Sequence, residues 1–377
     1  MKQVMDRFRE IVLDPYGWAK KEKERTGKKM IGCFPMGVPE EIIHAASMIP
    51  ITLLGSEEPI KEAQKYIPQQ VCSVMRSNFD MCLRKELDFL DGIIFPDICD
   101  AIQRLSDVWR IHCPIPFHHN IASVVQDAPS GKKFLTGEFD RLRKTLEEFF
   151  HITISNEAIG KSIVVFNENR SLLDRLNQLR RMKPGLFKAK DFPTIVEASM
   201  FMDKQEHSRL LSELLEKAEP AAKGDVSKGE RRVVLSGNLC QHPLWPVLDL
   251  LDELGIWVVD DDLYVGTNYF ATGTKFPSES PIAALAERYI KDVPSPAKIN
   301  ARNGWAEYLI QIVRRSGAGG VILLRLMYCD SGFDYPHLRK KLSEHGIPDL
   351  LIEMDQVLDL VEIRSKLESF LEIVGGE

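Results

Sequence analysis

The chain has 377 residues, of which 44% are hydrophobic and 28% are charged, and its formal net charge is −6. This length predicts two domains, because single hydrophobic cores stop growing at roughly 250–300 residues. The acidic balance argues against a general nucleic-acid-binding protein, and no apolar run approaches the roughly 18 residues that a membrane span needs. Since the amino terminus lacks the apolar stretch of a signal peptide, we expect a cytoplasmic protein with neither nucleic acid nor membrane as a partner.

The first third of the chain shows a strand, helix, strand pattern. Residues 1–28 predict an amphipathic helix followed by a basic linker, and residues 30–34 predict a strand. Pro39, Glu40 and Glu41 then indicate a helix start, and residues 51–54 predict a second strand. Right-handed crossover makes two such strands parallel. A polar helix is predicted over residues 58–66.

Two cysteines in this region lie at the predicted ends of elements. Cys72 precedes a helix, and the amino end of a helix lowers the pKa of a thiol. Residues 92–95 form a short apolar run typical of a buried strand, and Cys99 follows that strand just before the next helix. A fourth strand is predicted over residues 111–117. Because open α/β sheets bind ligands at the carboxyl ends of their strands, Cys99 is predicted to face a crevice.

The second half of the chain repeats this architecture after a helical region. Residues 151–230 predict helices that end in a polar linker over 219–230, and strands are predicted over 232–235, 256–259, 321–327 and 349–352. Cys329 follows the third of these strands. The predicted fold class is therefore α/β, with two Rossmann-like (flavodoxin-like) lobes of parallel sheet. The predicted boundaries are an amino-terminal helical segment at 1–28, lobes at 29–150 and 231–377, and a helical connection at 151–230.

The cysteines are candidate ligands for a metal or a cluster. They number seven, lie far apart and include no CxxC pair, which argues against a disulfide framework, a zinc finger or a simple ferredoxin; they are at positions 33, 72, 82, 99, 113, 240 and 329. Positions at strand and helix ends favour Cys72, Cys99 and Cys329, with Cys240 as a rival, and the others are interpreted as packing. If the three thiols converge, a [4Fe–4S] cluster with three thiolate ligands and a three-thiolate zinc site fit equally well. The alternative is that all seven are small buried hydrophobic side chains.

An acidic run at the end of a predicted strand has two interpretations. Asp260, Asp261 and Asp262 offer the oxygen ligands that magnesium prefers. A carboxylate run in this position also caps the turn that follows, and we favour that interpretation.

Five segments resemble the benzoyl-CoA reductase and 2-hydroxyacyl-CoA dehydratase family. They are PEEIIHAASMIPITLLG, PQQVCSVMRSNFD, IIFPDICDAIQRLSDVW, VVDDDLYVGTNYF and LRLMYCDSGFDYPHLRKKL. The resemblance spans nearly the whole chain, and the three cysteine contexts are its most specific part. The stretch CDAIQRLSDVW is more similar to the reductase branch than to the dehydratase branch.

The resemblance implies a smaller, cluster-bearing subunit with two Rossmann-like lobes. Its [4Fe–4S] cluster would be held by Cys72, Cys99 and Cys329. Its partners would be a homologous, larger cluster-bearing subunit and a separate ATP-hydrolysing iron–sulfur activator, with ferredoxin upstream and an acyl-CoA thioester as substrate. The sequence contains no GxxxxGK[ST] loop, so ATP would be bound by another chain.

The resemblance also places substrate-pocket residues near Glu40, Glu41 and His44. Residues 34–37, FPMG, lack the hydroxyl residue that some dehydratase subunits have there, which favours a reductase. Glu41 and His44 are candidate catalytic residues, since a histidine near the working pH suits proton transfer. The alternative for Glu40 and Glu41 is stabilisation of the helix start, about 0.3–1 kcal/mol each.

Three functions follow for testing. The first is the iron–sulfur subunit of an ATP-dependent benzoyl-CoA reductase, which passes low-potential electrons to an aromatic acyl-CoA. The second is the small (beta) subunit of a 2-hydroxyacyl-CoA dehydratase. The third is a cofactor-free scaffold subunit whose thiols are structural.

Overall fold

The strands form two parallel sheets in the part of the chain that the structure describes. This computed structural model describes residues 1–124, 128–222, 231–237, 245–291, 304–329, 334–355 and 357–374. The strands are β1 (Met30–Cys33), β2 (Ile49–Thr52), β3 (Gly92–Asp97), β4 (Phe117–Ala122), β5 (Arg232–Ser236), β6 (Trp257–Asp261), β7 (Gly320–Leu326) and β8 (Asp349–Met354). The sheet orders are β2-β1-β3-β4 and β6-β5-β7-β8, and every neighbouring pair is parallel. The prediction of two Rossmann-like lobes is confirmed.

Helices cover both sheets and connect them. Those in the described residues are α1 (Lys2–Leu13), α2 (Pro15–Thr26), α3 (Glu40–Ala45), α4 (Ser73–Leu83), α5 (Asp100–His112), α6 (Pro129–Phe150), α7 (Asn156–Met182), α8 (Asp191–Ser199), α9 (Lys204–Ala221), α10 (Trp245–Glu253), α11 (Thr267–Phe270), α12 (Pro281–Ile290), α13 (Gly304–Ser316), α14 (Tyr335–Glu344) and α15 (Leu360–Val374). The largest cluster of buried apolar side chains draws members from both lobes, including Phe95 of β3 and Leu324 of β7. The two sheets therefore share one continuous core.

The amino-terminal prediction is half right. The predicted helix is α1, but the segment predicted as a basic linker is a second helix, α2. Its start is capped, because the Asp14 carboxylate accepts a hydrogen bond from the Gly17 amide at 3.0 Å and Pro15 occupies the first helical position. Its end is Gly27, whose φ of 65° is the left-handed conformation common at helix ends.

The fourth strand of the first lobe lies later than predicted. The prediction places it over residues 111–117, yet Ile111 and His112 continue α5 and β4 begins at Phe117. Pro114 and Pro116 lack the amide hydrogens that a strand ladder needs, so the chain cannot pair before β4. Within β4, alternate residues are buried, which is the pattern of an edge strand with one packed face.

The polar helix predicted over residues 58–66 is also wrong. The structure has a single helical turn there, Ala63–Lys65. The reason is Asp80 on α4, whose Oδ1 accepts hydrogen bonds from the backbone amides of Lys61, Glu62 and Ala63 at 2.9, 2.6 and 2.8 Å. These amides bond to a side chain and are not available to extend a helix.

Asp80→Ala is expected to lower the free energy of unfolding by about 3 kcal/mol. The substitution leaves three amides without their charged acceptor, and hydrogen bonds to charged groups contribute about 1.5–3 kcal/mol each before solvent replaces part of them. Urea unfolding measures the change, with Asp174→Ala as control, because the Asp174 carboxylate bonds only an exposed glutamine side chain in the described residues. Equal stability of Asp80→Ala and the control would contradict the role of this carboxylate.

Between the two sheets the described chain contains α7, α8 and α9, the last of which ends at Ala221. Residues 223–230, which complete the predicted linker, lie outside the described residues. Helix α12, from the second half of the chain, packs on the first lobe: Ile282 and Leu285 belong to the buried cluster that contains Phe139 of α6. The Tyr289 hydroxyl of α12 also donates a hydrogen bond to the Val38 carbonyl of the first lobe. Helices from both halves of the chain therefore pack on the first lobe.

Stability is expected to fall between pH 7 and pH 5 because of His207 in α9. Its Nδ1 lies 2.9 Å from the Asn169 amide nitrogen and its Nε2 lies 3.0 Å from the Ile195 carbonyl oxygen, an arrangement that suits the neutral ring. Burial, followed by the charge of Lys204, lowers the pKa of His207 to about 3. The unfolded chain, with a histidine pKa of about 6.5, therefore binds the extra proton first as the pH falls, and stability is lost below that pH.

The expected loss from His207 at pH 5 is about 2 kcal/mol, at about 1.36 kcal/mol per pH unit. Urea unfolding at pH 7 and pH 5 measures it. His207→Gln is expected to reduce the difference between the two pH values by this amount, whereas the control substitution at the exposed His345 leaves it unchanged. An equal pH dependence in all three proteins would refute the assignment.

Candidate functional site

Cys99 and Cys329 occupy equivalent places in the two lobes. Cys99 lies between the end of β3 and the start of α5, and Cys329 lies three residues after the end of β7. β3 and β7 are each third in the order of their sheet. Each lies beside the first strand of its lobe, β1 or β5, where the strand order reverses. Open α/β sheets bind ligands at this switch point, outside the carboxyl ends of the strands. Both cysteines are partly exposed.

Cys72 lies at the amino end of α4, as predicted, but its thiol is not acidic. Burial, followed by the charges of nearby Cys329 and Cys99, raises the pKa of Cys72 to about 12, while the Met75 amide and Arg76 act in the opposite direction. The expectation that the helix end would lower this pKa is therefore wrong. Only 6% of Cys72 is exposed, and the cost of burying a thiolate exceeds the effect of the helix dipole.

The charge interactions show which cysteines the structure brings together. Cys99 and Cys329 both act on the Cys72 thiol, although the three residues belong to separate loops and to both lobes. All three also contact the same apolar core cluster. Within the described ranges, no group of three or more His, Cys, Asp or Glu side chains is arranged to hold a single metal ion.

Aromatic packing fixes α4 against α5. Trp109 of α5 is fully buried, and its ring centroid lies 5.7 Å from Phe79 of α4 and 5.6 Å from both Phe34 and Phe95. These contacts join the two helices to the ends of β1 and β3. Since Cys72 and Cys99 directly precede the two helices, the same contacts set their relative position.

An ion pair joins the lobes directly beside Cys72. The Arg76 guanidinium donates through Nε to the Val71 carbonyl at 2.7 Å, and its Nη2 lies 2.7 Å from Oδ1 of Asp355. Asp355 follows β8, the neighbour of β7, so this pair links the segment of Cys72 to the lobe that carries Cys329. Only 9% of the Arg76 side chain is exposed.

The other described cysteines are packing residues in the structure. Cys33, Cys82 and Cys113 are buried in apolar clusters, and the Cys82 and Cys113 thiols form a hydrogen bond with each other. The Cys33 thiol donates to the Ile31 carbonyl at 3.5 Å. Cys240, the rival ligand, lies outside the described residues.

Glu41 and Glu40 belong to a buried charge network. Glu41 is fully buried, and its carboxylate lies 2.6 Å from Nη2 of Arg170 and 4.0 Å from Nη1 of Arg288. Burial alone would raise the pKa of Glu41, but the two arginines outweigh it and hold that pKa below its usual value. Glu40 accepts a hydrogen bond from the Tyr269 hydroxyl at 2.7 Å and lies 3.4 Å from the Lys204 ammonium. These carboxylates do more than start a helix: they neutralise buried cations.

His44, near the end of α3, contacts α7. Its Nδ1 lies 2.9 Å from the Ser162 hydroxyl, and its ring packs edge-on against Phe166. It borders a pocket of about 160 Å³ that Lys28 and Lys204 also line. Burial lowers the pKa of His44, which favours the neutral ring. Its role as a proton donor stays a prediction.

A larger cavity, here called the α5 cavity, adjoins the three cysteine segments. Its volume is about 460 Å³, and its walls are the segment just before Cys72, the face of α5 that follows Cys99, and Tyr328, which precedes Cys329. None of its lining residues borders the pocket at His44. A concave, mostly apolar cavity of this size is typical of a small-molecule site.

The acidic run is structural in the described residues. Asp260 accepts from Arg181 at 2.7 Å and Arg315 at 3.1 Å, and Asp261 accepts from Arg180 at 2.6 Å. Since arginines already neutralise these carboxylates, the structure favours the turn interpretation over magnesium. Burial raises the pKa of Asp262 to about 7, although Trp305 Nε1 donates to it at 2.8 Å.

Comparisons with known proteins identify the family of this chain. A family model described as "2-hydroxyglutaryl-CoA dehydratase, D-component" matches residues 35–374. The chain belongs to this family. Within the described residues, no helix is both long and apolar enough to cross a membrane.

The relatives of this chain include subunits of dehydratases and of a reductase. The chain is 30% identical to the beta subunit of (R)-2-hydroxyglutaryl-CoA dehydratase from Acidaminococcus fermentans over 98% of both chains. It is 28% identical to the beta subunit of lactoyl-CoA dehydratase from Anaerotignum propionicum over 99% of both. It is 29% identical to one subunit of benzoyl-CoA reductase from Thauera aromatica over 85% of this chain and 84% of the relative. The predicted family is confirmed, and the choice between its two branches is left to experiment.

Sequence reasoning missed the residues that hold the site together. Arg76 lies one helical turn after Cys72, a spacing that the sequence does show, but nothing in the sequence pairs it with Asp355. Glu41 pairs with Arg170 and Arg288, which lie 129 and 247 positions further along the chain. Neither arginine belongs to a motif.

Proposed function

We propose that this chain is the iron–sulfur subunit of an ATP-dependent benzoyl-CoA reductase and that Cys72, Cys99 and Cys329 hold its [4Fe–4S] cluster. The observation that carries the proposal is that Cys72, Cys99 and Cys329 all contact one apolar core cluster, with Cys99 and Cys329 near enough to act on the Cys72 thiol, although they come from two lobes and span more than 250 positions of sequence. The family membership supports the same donor set, because its most specific segments in this chain contain these three cysteines.

The donor set fits a cluster better than a single ion. Thiolates that bind one zinc ion at about 2.3 Å must lie side by side, and no such group occurs in the described residues. The thiolates of a four-iron cluster bind different irons and stand further apart. Cys72 interacts with both Cys99 and Cys329, and a cluster that binds each thiolate through a different iron is the group that we propose for them. When bound, the cluster would supply a centre that accepts and donates one electron at a time.

Three features of this chain would prepare the proposed cluster site. Burial keeps the Cys72 thiol protonated until a ligand replaces its proton, because metal binding requires the thiolate. Trp109 and its aromatic neighbours position the two helices that begin at Cys72 and Cys99. The ion pair of Arg76 with Asp355 holds the second lobe, with Cys329, against the first.

The proposed partners are those that the family resemblance implies. The chain is proposed to receive electrons from an ATP-hydrolysing iron–sulfur activator, which ferredoxin reduces; ATP would then be bound by that other chain, since this sequence has no GxxxxGK[ST] loop. A homologous, larger cluster-bearing subunit would complete the enzyme, and acyl-CoA would be its substrate. The names of the relatives describe them as single subunits of their enzymes, which supports a multi-subunit assembly here as well.

The reductase assignment rests on the segment before α3. Residues 34–37 offer no hydroxyl group, and the Glu41 carboxylate is taken up by buried arginines, which argues against an acid/base role in dehydration. The second candidate is the beta subunit of a 2-hydroxyacyl-CoA dehydratase, which is favoured by dehydratase relatives that cover 97–99% of this chain.

Turnover by the reconstituted complex separates the two candidates. The chain, its partner subunit and the activator are combined anaerobically with ATP and a reductant, and benzoyl-CoA or a 2-hydroxyacyl-CoA is supplied. We expect benzoyl-CoA to be consumed, as followed by chromatography of the CoA thioesters. Consumption of the 2-hydroxyacyl-CoA alone would establish the dehydratase, and consumption of neither would refute both candidates.

A further inference from the structure

Cys82 and Cys113 form a buried pair of thiols outside the candidate site. Cys82 is the last residue but one of α4, and Cys113 directly follows α5. The two thiols are hydrogen-bonded to each other, and only 6% of Cys82 and 3% of Cys113 are exposed. The Cys113 amide also donates to the Trp109 carbonyl at 2.7 Å, which holds this residue at the end of its helix.

Aromatic contacts hold the carboxyl ends of the two helices together around this pair. Phe79 lies one helical turn before Cys82. Its ring centroid is 5.7 Å from that of Trp109 and 6.4 Å from that of His112, and both of these residues lie within the four positions before Cys113. Because these contacts fix the helix ends, rotation of the two cysteine side chains is enough to bring the sulfur atoms to the bonded distance of about 2.05 Å.

We propose that Cys82 and Cys113 are an oxidation site, at which a peroxide forms a reversible disulfide that braces α4 against α5. Hydrogen peroxide oxidises one thiol to a sulfenic acid, and one water is released. The second thiol attacks the sulfenic sulfur, and its hydroxyl group leaves as a second water. The two thiols thereby lose two electrons and two protons, which the peroxide accepts. A reducing dithiol reverses the reaction by exchange.

The burial of the pair sets when this reaction occurs. The hydrogen bond with Cys113, followed by burial, raises the pKa of Cys82, and the thiolate is the reactive form of a cysteine. Oxidation is therefore expected to be slower than that of the partly exposed Cys99 and Cys329 when these carry no ligand. In a reducing compartment the pair stays reduced and packs as two small apolar side chains.

The disulfide is expected to stabilise the first lobe. It joins two residues that are 31 positions apart, and such a cross-link restricts the unfolded chain. We expect the midpoint of thermal unfolding to rise by about 5 °C on oxidation and to return after reduction.

Peptide mapping of the full chain identifies the cross-link. The chain is purified with a reductant and a chelator, treated with hydrogen peroxide, alkylated in urea and digested with trypsin. Cleavage after lysine and arginine places Cys82 in residues 77–84 and Cys113 in residues 111–132, apart from every other cysteine. We expect mass spectrometry to find these two peptides linked in most chains, and the link to be absent after treatment with dithiothreitol.

Two variants serve as comparisons for the midpoint and the map. Cys82→Ala is expected to show neither the link nor the rise in midpoint that depends on it. Cys33→Ala is the matched control, because Cys33 is also buried, with 2% exposed, but belongs to another apolar cluster. It is expected to form the same link and to show the same rise as the unaltered chain.

Three results would overturn the proposal. The oxidation site is refuted if both thiols of the pair are still alkylated after Cys99 and Cys329 have been oxidised. It is also refuted if Cys82 is linked mainly to a cysteine other than Cys113. A linked pair whose midpoint rises no more than that of oxidised Cys82→Ala would refute the brace. Because the chelated chain carries no iron, none of these results depends on the proposed function.

Discussion

Cys99→Ala is expected to remove most of the iron from the anaerobically purified protein and to reduce turnover of the complex to background. Two thiolates remain after the substitution, and three are proposed to hold the cluster. Cys99 is partly exposed at the start of α5, and Trp109 anchors that helix, so the fold is expected to persist. Iron and sulfide analysis per chain, with circular dichroism as the check on folding, measures the effect.

Cys33→Ala is the matched control for this substitution. Cys33 ends β1 and is buried in an apolar cluster, where it functions as a small hydrophobic side chain. The control is expected to retain its iron and its turnover. A Cys99→Ala protein with the iron content of the control would show that this thiol is not a ligand.

Glu41→Ala is expected to lower the free energy of unfolding by about 3–5 kcal/mol, because it leaves Arg170 as a buried charge without its partner. Glu41→Gln also removes the charge. Because it keeps the volume of the side chain, we expect a smaller loss. The pKa of Glu41 is held below its usual value, so its stabilising contribution is present above the unfolded pKa of about 4.3 and is lost as the pH falls through the folded pKa. Urea unfolding at pH 7 measures each variant.

A double substitution separates the ion pair from the side-chain volume. Glu41→Leu combined with Arg170→Met removes both charges and is expected to be more stable than either single substitution, because paired charges are often replaceable by packed apolar groups. Turnover by the folded Glu41→Gln protein then tests the predicted catalytic role. If the double variant is the least stable of the set, the two side chains do not compensate one another.

The sequence predicted those parts of the fold that local patterns determine. Continuous apolar runs located β3 and β7, since strands buried on both faces need no alternation. Predictions from local patterns were wrong at two places. Asp80, further along the chain, accepts hydrogen bonds from the amides of residues 61–63, and two prolines delay the start of β4 to Phe117.

In the candidate site, too, the features set by neighbouring residues were predictable and those set by distant contacts were not. The places of Cys72 and Cys99 at element ends follow from neighbouring residues, and so they were predictable. The pKa of Cys72 was not predictable, because it depends on burial in the folded protein, which outweighs the effect of the helix end. The ion pairs of Arg76 and Glu41 join residues 279 and 129 positions apart, and a single sequence carries no signal for such contacts.

The absorption spectrum of anaerobically purified protein, with iron and sulfide determined on the same sample, tests the central claim most directly. A broad band near about 400 nm that bleaches on reduction, together with about four irons per chain, is the predicted result. A colourless protein that takes up no iron on reconstitution, and whose Cys72, Cys99 and Cys329 can be alkylated without loss of turnover by the complex, would contradict it.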